Sequence, residues 1–171
     1  MRDTGSSSLR LPAAAATPAP WRARFRGEPP HVRLHDPAAR VMSDFALEIP
    51  RVIDNRRTVQ EALDEMFRWG VRAFLVTREG RDVVGFVTAD QLLGCRRRAD
   101  ATVQAMMTSA DDAPLIDWQT VRDAKVSDLC DIFAGAGVDH LVVVETAGAG
   151  SSMVRGLIHR YRLVRQLRPL A

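Results

Sequence analysis

The chain has 171 residues, 46% of them hydrophobic, which suits one globular domain of ordinary size or two small halves packed together. Its formal charge of +3 is uneven: residues 1–40 hold seven arginines against Asp3, Glu28 and Asp36, so the remaining body is slightly acidic and its composition does not support general nucleic-acid binding. No apolar run reaches the ~18–20 residues needed to cross a membrane, and "LRLPAAAATPAP" is too short and proline-broken for a secretory leader. Cys95 and Cys130 lie far apart, each in or beside an apparent helix, and read as reduced thiols of a cytoplasmic protein.

Residues 1–38 are rich in Pro, Ala, Ser and Arg, show no sustained period, and read as a disordered arm. Within them "WRARFRGEPP" (Trp21 to Pro30) interleaves two aromatics with three arginines, a composition that can hold RNA or an acidic protein surface, or remain a solvated tail. His31 and His35 stand at i,i+4 spacing beside Asp36, but Pro29, Pro30 and Pro37 deny them a rigid helix, so no metal site is expected. From Pro37 onward "PAARVMSD" is expected to open a helix and "IPRVID" (Ile49 to Asp54) to be extended.

"RTVQEALDEMFRWG" places Val59, Ala62, Leu63, Met66 and Phe67 on one face, which predicts an amphipathic helix ended by Gly70. "RAFLVT" (Arg72 to Thr77) and "DVVGFVT" (Asp82 to Thr88) predict two strands joined by a hairpin turn at "REGR", and "TADQLLGCRRR" resumes helical character. The same order then recurs. Val59 aligns with Val126 of "AKVSDLCDIFAGAGV" and Gly70 with Gly137, both 67 positions on, and "RAFLV" becomes "DHLVV" at the same offset. Gly85 becomes Gly156, 71 positions on, the excess falling in the loop "ETAGAGSSM"; another excess falls in "WQTVRDAK". Insertions confined to loops while the cores keep register mark a duplicated unit.

A β-α-β-β-α unit preceded by "VMSD" or "AMMTSADDAP", with a "TVQEALDEM" helix and the ending "VVGFVTADQLL", resembles a cystathionine-β-synthase-type (CBS) domain. Two in tandem resemble a stand-alone Bateman module. The resemblance implies an α+β fold of two repeats related by a pseudo-twofold, with boundaries at 1–38 for the arm, 39–99 for repeat 1 and 100–171 for repeat 2. Each small sheet has an apolar face that a unit of ~60 residues cannot bury alone.

The resemblance also implies clefts between the repeats that receive adenine nucleotides, with AMP, ADP or ATP as regulatory ligand and no obligatory cofactor. The positions it marks as ligand-binding are Ile53, Arg72, Phe74, Thr88, Asp90, Gln91, His140, His159 and Arg162. Nucleotide-binding members carry Gly, two apolar residues, Ser or Thr, two residues, then a ribose-binding Asp. Here Gly85, Phe86, Val87 and Thr88 match, but Gln91 stands in place of that Asp and Asp90 one place early, about 100° around a helix. Gln lacks the charge that strengthens a two-hydroxyl clamp.

In the second copy His159 replaces the hydroxyl and Arg162 the acid. Arg155, Arg160, Arg162, Arg165 and Arg168 gather there; they could capture a phosphate or carboxylate, or form a solvated basic face beside Leu157, Tyr161, Leu163, Val164 and Leu167. His140 reads as a structural histidine or a ligand group. With no nucleophile elbow, phosphate loop or metal cluster, catalysis is not expected.

The leading expectation is therefore a non-catalytic, ligand-sensing regulatory module acting on a separate protein. Its rivals are a ligand-free interaction scaffold and an RNA-binding adaptor using the arm. The resemblance implies a homodimer, and apolar Phe67, Trp69, Ile132 and Phe133 exceed what one core stripe uses.

Overall fold

The computed structural model describes residues 9–10, 31–95, 98–147 and 151–167. The elements are β1 (Leu9–Arg10), β2 (Met42–Asp44), β3 (Val52–Asp54), α1 (Val59–Trp69), β4 (Ala73–Arg78), β5 (Asp82–Thr88) and α2 (Ala89–Gly94), with a 3-10 turn at Ala38–Val41 before β2. The second half holds α3 (Val103–Met106), β6 (Thr108–Ser109), β7 (Leu115–Asp117), α4 (Trp118–Asp123), α5 (Val126–Ala136), β8 (His140–Ala147), β9 (Ser151–His159) and α6 (Arg160–Gln166).

These elements form two compact units that do not follow the expected linear boundaries. Unit 1 contains Leu47–Ala113 and Thr146–Val154; unit 2 contains the segment ending at Ala46, Pro114–Glu145 and the segment beginning at Arg155. Strand pairing is the physical reason. In unit 1, Gly85 and Phe86 of β5 pair antiparallel with Ser109 and Thr108 of β6; in unit 2, Gly156, Leu157 and Ile158 of β9 pair antiparallel with Asp44, Ser43 and Met42 of β2. The short strand that leads into each repeat thus satisfies the edge of the other repeat's sheet.

In unit 1 the sheet order is β3-β4-β5-β6, with β3 parallel to β4 and the β4–β5 hairpin closed at Glu79 and Gly80, φ 54° and 68°. Both φ values are positive, the turn geometry that matches strand twist. The core joins Ile53, Phe74, Val76 and Val87 of the sheet to Val59, Ala62 and Met66 of α1, Leu92 of α2 and Val103 of α3. The expected α1 stripe is narrower than its pattern: Leu63 is half-buried and Phe67 is 92% exposed. Thr58 and Glu61 form a reciprocal capping box, and the Thr58 backbone N–H, donating to Glu61, holds that carboxyl below its ordinary range.

Unit 2 orders its strands β7-β8-β9-β2 around a core of Val121, Val126, Leu129, Phe133, Leu141, Val143, Ile158 and Leu163. Helices α1 and α5 both end on a left-handed glycine, Gly70 and Gly137, each with φ 63°. Their starts correspond too. The first N–H groups of α1, from Val59 and Gln60, donate to the carbonyls of Ala101 and Ala99; those of α5, from Val126 and Ser127, donate to Asp36 and Leu34.

That last pairing corrects the arm boundary. Val32 is fully buried, its N–H donates to the Gln166 carbonyl at 2.8 Å, and Ala38 joins the same core, so packed structure begins before residue 38. Leu9–Arg10 also pairs with Val83 and Asp82 of β5, while the stretch Trp21 to Pro30 lies outside the described residues. "PAARVMSD" forms the 3-10 turn and β2 in place of the expected helix, because pairing with β9 holds Met42 extended at φ −80°, ψ 144°. "WQTVRDAK", expected as a loop, holds α4, capped by Asp117 and anchored by buried Val121. Phe133 is 2% exposed and Ile132 packs against the core, so neither supplies the excess surface expected of it.

Gln166 is fully buried in unit 2, and neither its Nε2 nor its Oε1 has a hydrogen-bond partner among the described residues. An unsatisfied buried amide costs ~1–3 kcal/mol, so Gln166→Met is expected to stabilise the chain by about 1 kcal/mol, read as a higher urea midpoint. A lower midpoint would show that the carboxamide has a partner.

Candidate ligand site

In unit 1, β5 runs into α2 at Thr88, which is extended (φ −113°, ψ 156°) and caps the helix. The Thr88 hydroxyl accepts from the Gln91 N–H at 3.2 Å, and the Gln91 Oε1 accepts from the Thr88 N–H at 2.8 Å. This is a capping box written in Thr and Gln. The remaining arm of the carboxamide, Nε2, donates to the Thr108 hydroxyl of β6 at 2.8 Å. Gln91 therefore fastens α2 to the strand beside it.

Asp90 turns away from that lock and meets Arg72 at 2.7 Å, both side chains more than half exposed. The Arg72 carbonyl accepts from the Ala89 N–H at 2.8 Å, which places β4's approach against the start of α2. Arg72, Thr88, Asp90 and Gln91 thus share one turn. Ile53 and Phe74 do not join them: their side chains are 4% and 2% exposed within the unit 1 core. Asp90 is spent on Arg72 and does not take the place of the missing acid. The turn offers an exposed guanidinium for an anion and a Thr–Gln pair rich in hydrogen-bonding groups, already internally satisfied.

Unit 2 repeats the geometry with other chemistry. His159 caps α6, its Nδ1 accepting from the Tyr161 N–H at 3.0 Å, and Arg162 Nη1 donates to the Ser43 hydroxyl of β2 at 2.6 Å. Arg162 to Ser43 corresponds to Gln91 to Thr108: a helix residue three past the cap holds a hydroxyl on the neighbouring strand. The rings of His140, 6% exposed, and His159 lie 4.0 Å apart. The other arginines are spread among partners. Arg155 binds Asp44 through Nε and Nη2, both 3.0 Å, reaches Glu145 at 3.3 Å and covers Trp118; Arg160 meets Asp139 at 3.6 Å; Arg165 lies over Tyr161.

The residues that sequence reasoning missed are Thr108 and Ser43. Their signal is present in the matched hydroxyls of "MMTS" and "VMSD", but only the strand pairing shows what they hold. Among the described residues no group of three or more His, Cys, Asp or Glu could hold a metal; Asp36, beside His31 and His35, is engaged by Arg40 and the Arg33 N–H. Burial pushes the Cys130 thiol up, away from the reactive thiolate. Among the described residues no helix is long and apolar enough to cross a membrane.

Residues 38–97 match the family model of the CBS domain. Among solved structures, the chain is similar to a hemolysin-like protein containing a CBS domain from Oenococcus oeni PSU (19% identity, 80% of this chain and 93% of that one, TM-score 0.57). An uncharacterized conserved protein from Pyrococcus horikoshii is equally similar (19% identity, 81% and 97% covered, TM-score 0.57). CBSX2, solved in complex with AMP, shares 17% identity over 76% of this chain and 94% of its own, with a TM-score of 0.53. No curated protein matches the chain. The CBS-domain family model thus covers the first repeat, residues 38–97, and the fold is shared with CBS-domain structures along most of the chain.

Proposed function

We propose that the chain is a non-catalytic regulatory module that takes an adenine nucleotide at the Thr88–Gln91 turn of unit 1 and acts on a separate protein. The observation that carries this reading is the gathering of Arg72, Thr88, Asp90 and Gln91 at one turn. A phosphate would compete with Asp90 for the exposed Arg72 guanidinium, and the Gln91 carboxamide would exchange a protein partner for a ribose hydroxyl. The fold shared with CBSX2, which binds AMP, supports the ligand class.

Calorimetry on the full chain with AMP, ADP and ATP tests the proposal. Gln91→Asp supplies the charged acceptor and is expected to tighten binding by about 1–3 kcal/mol, on the order of five- to 150-fold. Absence of binding both before and after that substitution would sink it.

One observation favours a second reading, a ligand-free interaction scaffold: Gln91 and Arg162 are already tied to the hydroxyls of Thr108 and Ser43. In either reading we propose a homodimer, supported by exposed apolar side chains on unit 1, with Phe67 at 92% and Leu47 at 86%. Light scattering at tens of micromolar should give twice the chain mass, and a monomer mass would contradict the pairing.

A further inference from the structure

We propose that unit 2 binds a phosphate-bearing anion beside the start of α5, through Arg33, Arg40, His31 and His35. An open depression of about 460 Å³ lies there, lined by His31, Arg33, His35, Asp36 and Arg40. Two guanidiniums and two imidazoles thus face a single carboxylate. None of these side chains is a hydrocarbon, so the surface suits a compact, charged ligand over an apolar one.

The turn that carries them is fixed. The Asp36 N–H donates to the Arg33 carbonyl at 3.0 Å, and Asp36 Oδ2 accepts from the Arg33 N–H at 2.9 Å and from Arg40 Nη1 at 3.0 Å. The carbonyls of Leu34 and Asp36 accept from the Ser127 and Val126 N–H groups of α5, both at 2.9 Å, so the positive end of that helix dipole lies against the turn. Asp36 is therefore spent within the turn, its side chain only 18% exposed, and serves to aim Arg40. His31, Arg33 and His35 are exposed, and their side chains have no hydrogen-bond or ion-pair partner among the described residues.

The equivalent turn of unit 1 lacks this chemistry. There the Ala101 N–H donates to the Arg98 carbonyl at 2.9 Å, and the carbonyls of Ala99 and Ala101 take the first N–H groups of α1, so residues 98–101 stand where 33–36 stand in unit 2. Asp100 occupies the place of His35, and Ala105 that of Arg40, both 65 positions on. An anion at the unit 1 turn would meet a carboxylate; at the unit 2 turn it meets an imidazole N–H, which donates in either protonation state, and a second guanidinium. Phosphate is favoured over carboxylate because a phosphoryl end presents three oxygens, enough to engage both guanidiniums and an imidazole together, whereas one guanidinium fork takes up both oxygens of a carboxylate.

NMR titration of the full wild-type chain with inorganic pyrophosphate at constant ionic strength tests the site. The ring C–H signals of His31 and His35 and the Arg33 Nε–H report on this turn and not on the Thr88–Gln91 turn, and they should shift saturably by millimolar ligand. Arg33→Gln and His35→Asp, the latter installing the unit 1 residue, should each weaken binding at least about tenfold, the scale of one lost charge-assisted hydrogen bond. Arg81→Gln, in the exposed hairpin turn of unit 1, removes the same charge as Arg33→Gln and should leave the affinity unchanged.

ADP, titrated in parallel, separates a free diphosphate from one carried on a nucleoside: tighter pyrophosphate binding assigns the first, tighter ADP binding the second. Because the first readout is on the wild-type chain, it decides the matter even if a variant fails to fold. Unmoved His31, His35 and Arg33 signals at millimolar pyrophosphate and ADP, or an affinity lowered equally by Arg33→Gln and Arg81→Gln, would overturn the site.

Discussion

Gly85→Val should destabilise the chain by about 3 kcal/mol, among the largest losses a single side chain can cause here. A Cβ at Gly85 would collide with the Thr108 carbonyl and press on Met107 Sδ and Ser109 Cα, both at 3.2 Å. The obstacle is backbone, so no rotamer change relieves it. The damage spreads, because moving β6 away also breaks the Gln91–Thr108 bond that fastens α2. Gly156→Val should behave alike, its Cβ meeting the Ser43 carbonyl and two Met42 side-chain atoms at 2.9 Å.

Gly94 is the control: it is the last residue of α2, with nothing within 4 Å of a built Cβ. Gly94→Ala should be neutral or stabilising by about 0.5–1 kcal/mol, since alanine is the better helix former. Urea midpoints of the three variants decide the matter; equal behaviour of Gly85→Val and Gly94→Ala would refute the crossing-strand geometry.

Arg155→Met should cost about 3 kcal/mol, and the loss should persist in high salt. Arg155 and Asp44 have side chains only 23% and 16% exposed; Nη2 donates to one carboxylate oxygen at 3.0 Å, Nε lies 3.0 Å from the other as an ion pair, and the Trp118 ring lies beneath the guanidinium. Removing the arginine leaves the Asp44 carboxylate with the Ala46 N–H at 2.9 Å but without its counter-charge, and that uncompensated charge, more than the pair's own net worth, sets the penalty. The exposed Arg56–Asp54 pair makes the contrast: its arginine side chain is 73% exposed, and Arg56→Met should leave the urea midpoint unmoved. If Arg155→Met proved equally silent, water must already solvate Asp44.

Both predictions concern contacts that the sequence did not reveal, and the reason is range. Local signals carried well: β5 spans the predicted Asp82 to Thr88, and the aligned glycines 70 and 137 both end helices. Those features depend on neighbours within a turn or a strand. The pairing of β2 with β9 and of β6 with β5 depends on residues far away in the chain, and it overrode the helical pattern of "PAARVMSD".

The candidate site divides in the same way. Thr88 and Gln91 were legible as a motif, and so was the offset of Asp90 from the acid's place, about 100° around a helix. That Gln91 is occupied by Thr108 was not legible, because two residues 17 apart meet only through the β5–β6 pairing. Ile53 and Phe74 stand apart from that turn for a related reason: a residue before or within a strand can face ligand or core, and here the core takes both side chains.

Amide NMR during a titration of the full chain with AMP tests, residue by residue, the proposed binding of an adenine nucleotide at the Thr88–Gln91 turn. Saturable shifts are expected, centred on the backbone signals of Thr88, Asp90 and Gln91, the Gln91 side-chain NH2 and the Arg72 Nε–H. Unchanged signals at those five groups at millimolar AMP, or saturable shifts confined to other residues, would contradict it.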